Sequence, residues 1–161
     1  MDFEQRLQKA IQRGQRRADE RKSEVAAKAL NEEELKSLHS RHRLGLSEKI
    51  EICVRQLPSH FPGFQFETIY GERGWGAAAN RDDTEFARGG RRTNLFSRLE
   101  MTIRPFSKAH VLDLAAKGTV RNKEVFNRHH YEKLEEVDPD SFAELIDLWV
   151  LEYAEMYAAT T

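Results

Sequence analysis

Residues 95–104 read LFSRLEMTIR, and this run alternates with the two-residue period of a β-strand. Successive side chains of a strand point to opposite faces of its sheet, so this segment has one apolar face and one mostly charged face. Leu95, Ser97, Leu99, Met101 and Ile103 form the first face, and Phe96, Arg98, Glu100, Thr102 and Arg104 form the second. The alternation predicts a strand with one face in a core.

Two similar runs follow this strand, and two shorter ones precede it. Residues 105–108 and the pair Asn122-Lys123 have the composition of turns, so the three later runs are expected to form consecutive antiparallel hairpins. The predicted strands cover about 64–71, 75–80, 93–104, 109–120 and 124–131. Together they predict a five-stranded antiparallel meander.

Hairpin loop length determines which residues face each other across two strands. Connections at 105–108 and at Asn122-Lys123 give a register in which both hairpins place apolar residues on the same face. The expected pairs are Met101 with Leu112, Leu99 with Leu114, and Ala116 with His129. The charged face would then carry Arg98, Glu100, Thr102, Arg104, Asp113, Lys117, Arg128, His130 and Glu132.

Helices are predicted on both sides of the sheet region. Asp138 and Pro139 are typical of the first two positions of a helix, and an apolar stripe extends from there over residues 139–158. Ser47 is the expected cap of a central helix over 47–57, and residues 1–46 form a charged helical arm. The fold class is therefore α+β, with the C-terminal and central helices packed on one face of the meander in a domain of residues 47–161.

Composition limits the classes of protein that fit this chain. Mean hydropathy is -0.72, and no apolar run approaches the roughly 20 residues that span a bilayer, so no membrane partner is expected. The first 22 residues lack the apolar stretch of a secretory signal. The only cysteine, Cys53, cannot form an internal disulfide, which favours a cytoplasmic location. Its place on the apolar face of the central helix favours a buried structural thiol.

The charged face offers the sharpest candidate for a catalytic site. In the expected register Glu100 lies opposite Asp113, and Asp113 lies opposite Glu132. Like charges in this arrangement are unfavourable unless cations, a proton or a metal ion compensate them. His130 lies on the same face, so the candidate catalytic residues are Glu100, Asp113, His130 and Glu132. The alternative is a solvated face whose ion pairs are each worth little.

A second candidate lies in the polar loop predicted between the second and third strands. The guanidinium groups of Arg88, Arg91 and Arg92, next to Gly89-Gly90, are suited to a phosphate or a nucleic-acid backbone. The pI of about 6.6 lies below the range typical of nucleic-acid-binding domains, so no specific nucleic-acid binding is expected. No spacing of His, Cys or acidic residues indicates a metal or cofactor site.

The sequence favours a non-catalytic cytoplasmic binding or adaptor module. The arm is long and charged and has few apolar residues to bury, so a protein partner or a second copy is expected to engage it. Two alternatives remain. One is a small enzyme or ligand-binding protein that uses the charged sheet face, and the other is a weak phosphate or nucleic-acid backbone binder that uses the arginine loop.

Overall fold

The computed structural model describes residues 2–86 and 89–160, apart from the side chains of residues 28–30. The fold is α+β, as the sequence predicts. Its elements are α1 (Phe3–Val54), α2 (Gln56–His60), β1 (Gln65–Ile69), β2 (Trp75–Phe86), β3 (Arg92–Ile103), β4 (Val111–Val120), β5 (Lys123–Lys133), a 3-10 turn (Leu134–Glu136) and α3 (Pro139–Ala158). Within the described part of the chain, no helix is both long and apolar enough to cross a membrane.

The chain divides into two compact units, Met1–Ser37 and Leu38–Thr161. The first unit holds the N-terminal part of α1, where the described side chains are almost all exposed. The second holds the rest of α1, the whole sheet and α3. Among the described side chains, the buried apolar ones belong to the second unit, from Leu46 to Tyr157.

Helix α1 is continuous through the position where a new helix was expected. The prediction that Ser47 begins a central helix is wrong, because the Ser47 hydroxyl donates a hydrogen bond to the Leu44 carbonyl one turn earlier (3.2 Å). The helix ends at Val54, and the short α2 follows with Pro58 in its first turn. A proline is tolerated there because first-turn amides have no partner within the helix.

The five strands form one antiparallel sheet in chain order, β1-β2-β3-β4-β5, which confirms the predicted meander. Strand β2 extends six residues beyond its predicted end at Asn80, and its last residue, Phe86, pairs with Arg92. The added segment was read as a loop because its side chains are polar. Arg81 and Asp83 form an ion pair there (2.7 Å), and the Tyr157 hydroxyl donates to Asp83 (3.3 Å).

The predicted register of β3 and β4 is wrong by four residues. Met101 lies opposite Ala116, and Leu99 lies opposite Gly118, because the connection between these strands runs from 104 to 110 rather than from 105 to 108. The longer loop packs the Phe106 ring against His39 of α1. An even slip keeps every β4 side chain on its predicted face, so the alternation alone could not reveal it.

The predicted register of β4 and β5 is wrong by an odd number of residues over most of its length, and this exchanges the two faces of β5. The turn is Arg121-Asn122, with φ values of +47° and +69°, and a bulge between Gly118 and Thr119 shifts the pairing once more. Ala116 therefore faces Arg128 rather than His129. The Asn122 side chain stabilises the turn by accepting from the Phe96 amide and donating to the Asn94 carbonyl, both at 2.8 Å.

One face of the sheet is covered by α3 and the C-terminal part of α1, as predicted. Helix α3 begins as expected, with the Asp138 carboxylate accepting from the Asp140 amide (3.1 Å). Its buried Tyr153 packs edge to face on Phe126 and donates its hydroxyl to the Thr119 carbonyl (2.8 Å). From α1, the buried His39 ring reaches the Arg104 carbonyl (3.1 Å). The opposite face of the sheet, which these helices do not cover, is called the open face below.

Candidate functional site

The open face presents an ordered grid of side chains from three strands. One row across β3, β4 and β5 reads Thr102, Ala115, His129, and the next reads Glu100, Lys117, Asn127. Gly76 of β2 continues the first row on the other side of Thr102. The side chains of the first row are therefore short along most of its length, so this row is called the low row below. Longer polar side chains flank it.

The predicted row of three carboxylates does not exist. Glu100 lies opposite Lys117, and Asp113 lies opposite Tyr131, so no two carboxylates face each other here. Glu100 and Asp113 do share the open face, as expected. Glu132 lies on the helix-covered side, opposite Leu112. The exchanged faces of β5 are the cause, because one residue of register moves an entire strand's side chains.

His130 and Arg128 also lie on the helix-covered side rather than with Glu100. The His130 ring packs edge to face on Phe142 of α3 (centroids 5.0 Å apart) and reaches Glu132 at 3.2 Å. Arg128 forms a two-pronged ion pair with Glu152 of α3, with one bond at 2.8 Å. These contacts attach α3 to strand β5, which is a structural role.

His129 takes the place on the open face that the sequence assigned to His130. Its Nδ1 lies 3.2 Å from the Asp113 carboxylate. The cause is the bulge between Gly118 and Thr119, because a turn one residue earlier moves the pairing by two residues and keeps the faces of β5, whereas the bulge moves it by one. The sequence interpretation had no bulge and so missed His129.

Glu100 and Asp113 each have a partner on the open face. Glu100 pairs with Arg73 and lies 3.5 Å from Arg98, which in turn pairs with Glu67 at 2.7 Å. The Asp113 carboxylate lies 3.2 Å from the Nδ1 atom of His129. Such half-exposed pairs are each worth about 0–1 kcal/mol, so they organise the surface more than they stabilise the fold.

A recess of about 190 Å³ lies over the low row of the grid. Thr102 lines it and is only 5% exposed, while the side chains of Arg104 and Lys117 stand at its edges. Within residues 2–86 and 89–160, neither the Thr102 hydroxyl nor the charged ends of Arg104 and Lys117 have a hydrogen-bond or ion-pair partner. The recess therefore combines one accessible hydroxyl, on a residue that is otherwise buried, with two unpaired cations.

The geometry of the recess does not assemble a nucleophile with a base. Ala115 lies between Thr102 and His129 in the row. Two strand spacings of about 4.8 Å therefore place the backbones of Thr102 and His129 roughly 10 Å apart. Proton transfer needs heavy atoms within about 3.2 Å or a bridging water. The described part of the chain also brings no three His, Cys, Asp or Glu side chains together as a metal site.

Cys53 is half-buried where α1 meets α3. Its thiol donates to the Asp147 carboxylate (3.2 Å), which also pairs with Lys49 (2.9 Å). Burial, and then the bond to Asp147, raise the pKa of the Cys53 thiol above its ordinary value. The thiolate is the reactive form of cysteine, so this environment favours the predicted structural role.

The phosphate site predicted at Arg88, Arg91 and Arg92 remains a prediction, and the structure describes two of these three residues. Arg91 and Arg92 are exposed next to Gly89 and Gly90, which both have positive φ. Arg88 lies outside the described residues.

Comparison with known proteins adds no assignment, since no protein-family model, curated protein or solved structure matches this chain.

Proposed function

We propose that this protein is a non-catalytic cytoplasmic binding module that associates with a second copy of itself through its helical arm. The observation that carries the proposal is an uncovered apolar stripe near the start of α1. Phe3, Leu7 and Ile11 are 77%, 48% and 52% exposed. Their four-residue spacing puts them on one side of the helix, where they form a contact surface for another helix.

The charge of the arm selects the kind of surface that it contacts. From Gln5 to Ala18 there are five basic residues and no acidic one. Two arms packed against each other would bring these cations together, which is unfavourable. The charge pattern therefore favours an acidic surface with its own exposed apolar residues as the partner.

The outer side of α3 has these properties. Leu148 and Leu151 are 52% and 64% exposed, and Glu144 and Glu155 continue the same stripe at its two ends. Neither of these two carboxylates has an ion-pair partner among the residues that the structure describes. Residues 134–161 contain eight acidic residues and no basic one.

An arm from one copy that contacts α3 of the other gives two identical contacts in a symmetric dimer. Each copy then supplies one basic and one acidic surface, so the interface closes and growth stops at two chains. Opposite charges on the two surfaces accelerate the encounter, and the apolar stripes supply the affinity.

Sedimentation equilibrium tests the proposal on the full chain and on three surface variants. We expect a dimer for the unaltered protein, and monomers for the double variants Leu7→Ser with Ile11→Ser and Leu148→Ser with Leu151→Ser. Leu44→Ser is the matched control, because Leu44 is an exposed leucine of α1 that lies off the stripe, and it should remain dimeric. Dimers should also weaken at high salt.

A monomer at about 100 µM of unaltered protein would remove self-association, since a dissociation constant above that value gives less than about 5.5 kcal/mol of binding. Dimers that survive the α3 changes but not the arm changes would mean that the arm contacts another surface.

A second candidate function uses the open face as a ligand-binding or catalytic site. The recess with its two unpaired cations supports the ligand-binding form. The catalytic form has less support, because the open face brings no nucleophile within reach of His129. Isothermal titration of small anions into the protein separates these functions from self-association. The arm is remote in sequence from the residues that line the recess, so anion binding would not require the arm.

A further inference from the structure

The strongest unassigned feature outside the arm is the recess on the open face. Its floor is formed by the low row of the grid, where Thr102 and Ala115 lie side by side on β3 and β4. At about 190 Å³ it has room for a group of the size of phosphate. A group that enters it meets the Thr102 hydroxyl at the floor and the charged ends of Arg104 and Lys117 at the edges.

The charges around the recess do not balance internally. Glu100 is paired with Arg73 and lies near Arg98, and Asp113 is paired with His129. Arg104 and Lys117 have no such partner in the described part of the chain. Two positive charges beside a small cavity favour a ligand with two negative charges.

The Thr102 hydroxyl provides an independent indication of a ligand. Thr102 as a residue is only 5% exposed, and its hydroxyl has no hydrogen bond to any described residue. The hydroxyl is not among the buried partnerless atoms of the described residues, so its remaining exposure is towards the recess that Thr102 lines. A hydroxyl that lines a cavity without a protein partner is available to a ligand atom.

We infer that the recess binds the dianionic phosphate group of a small ligand. Three donor groups surround it: Thr102 at the floor, Arg104 just beyond the end of β3, and Lys117 on β4, diagonal to Thr102. This arrangement suits the tetrahedral oxygens of phosphate better than a planar carboxylate. Arginine and lysine both bind phosphate, by hydrogen bonds and by charge.

The dianionic phosphate group in the recess can belong to free inorganic phosphate or to a phosphate monoester of a small molecule. The inference is independent of the arm and of the proposed dimer. It is also distinct from the predicted phosphate site at Arg91, in the loop between β2 and β3, and Arg92, the first residue of β3.

Titration followed by amide NMR shifts, with inorganic phosphate, O-phosphoserine and succinate as probes, tests the inference at constant ionic strength. We expect saturable shifts centred on Thr102 and Ala115 with the two phosphate probes, and binding of succinate weaker by about ten-fold or more. Tighter binding of O-phosphoserine than of inorganic phosphate would identify a monoester as the source, and the reverse order would identify free phosphate.

Three variants locate the site. Lys117→Gln and Thr102→Val should each weaken phosphate binding by about ten-fold, since each removes one hydrogen bond to a charged group. Lys117 is exposed, so its change leaves the fold intact even if Thr102→Val does not. Lys123→Gln is the matched control, because it removes the same charge at the far end of β5.

The result that would overturn the inference is an absence of saturable shifts at about 10 mM phosphate, which corresponds to binding too weak to be specific. Equal weakening by Lys117→Gln and Lys123→Gln would also overturn it, because that pattern reports general charge. Loss of binding on Arg92→Gln, with Lys117→Gln unaffected, would place the phosphate at the arginine loop.

Discussion

Replacing Arg121 by glycine is expected to stabilise the protein, although most substitutions of a partly buried residue destabilise. Arg121 occupies the first position of the β4–β5 turn with φ of +47°. A left-handed conformation costs a residue with a side chain roughly 1–2 kcal/mol, whereas glycine adopts it freely. The Arg121 Nε is also buried without a hydrogen-bond partner among the described residues, so its removal breaks no such bond.

The net gain follows from two opposing effects. Relief of the left-handed backbone contributes roughly 1–2 kcal/mol, and the greater freedom of glycine in the unfolded chain takes back about 0.4–1 kcal/mol. The expected increase in the free energy of unfolding is therefore about 1 kcal/mol, or a Tm higher by about 3 °C at this chain length. The hydrogen bond from the Arg121 amide to Ser97 (2.9 Å) belongs to the backbone and is kept.

Urea and thermal unfolding of Arg121→Gly and Lys123→Gly together check this reasoning. Lys123 is the first residue of β5, where glycine should cost about 0.5–1 kcal/mol. If the turn were Asn122-Lys123, as the sequence interpretation had it, the two results would be exchanged. A loss of stability in Arg121→Gly as large as that in Lys123→Gly would refute the observed turn.

Two further predictions concern buried polar groups. Burial lowers the folded-state pKa of His39 below 6.5, so its contribution to stability is complete above pH 6.5 and is lost as the pH falls towards that lower pKa. In His39→Gln the side-chain amide can still donate to the Arg104 carbonyl but cannot titrate. The Tm of this variant should therefore fall less between pH 7.5 and about pH 5 than the Tm of the unaltered protein. An identical fall would exclude His39 as the cause. Tyr153→Phe removes the hydrogen bond to the Thr119 carbonyl and should cost about 1 kcal/mol in urea unfolding, whereas Tyr131→Phe on the exposed surface should cost nothing measurable.

The sequence was sufficient for the features that depend on periodicity and capping. The alternation over 95–104 and the Asp138-Pro139 cap predicted the strand β3 and the helix α3 because each is determined by local chemistry. The apolar face of β4 was also correct, since a slip by an even number of residues preserves it. The composition of residues 81–86 concealed the end of β2, because its polar side chains are satisfied by contacts with distant residues such as Tyr157.

The candidate site was predicted only in part, because it depends on the register of β5. Glu100 and Asp113 were placed on the correct face, whereas His130 and Glu132 were not. The bulge next to Gly118 accounts for the exchange, because the earlier turn alone moves the pairing by two residues and keeps the faces. The space that Gly118 leaves is occupied by Phe126 and Tyr153, which a Cβ atom would approach to 3.1–3.2 Å. That contact involves α3, which is distant in sequence, so local patterns could not reveal it.

Disulfide trapping between two copies tests the proposed self-association most directly. In a Cys53→Ser background, one chain carries Leu7→Cys and another carries Leu148→Cys, so that each chain has a single thiol. Mixing them under mild oxidation should give a cross-linked pair that contains one chain of each kind, while neither chain alone should cross-link efficiently. Efficient cross-linking of the Leu7→Cys chain with itself would instead show that two arms meet, and no cross-link in the mixture would contradict contact between the arm and α3.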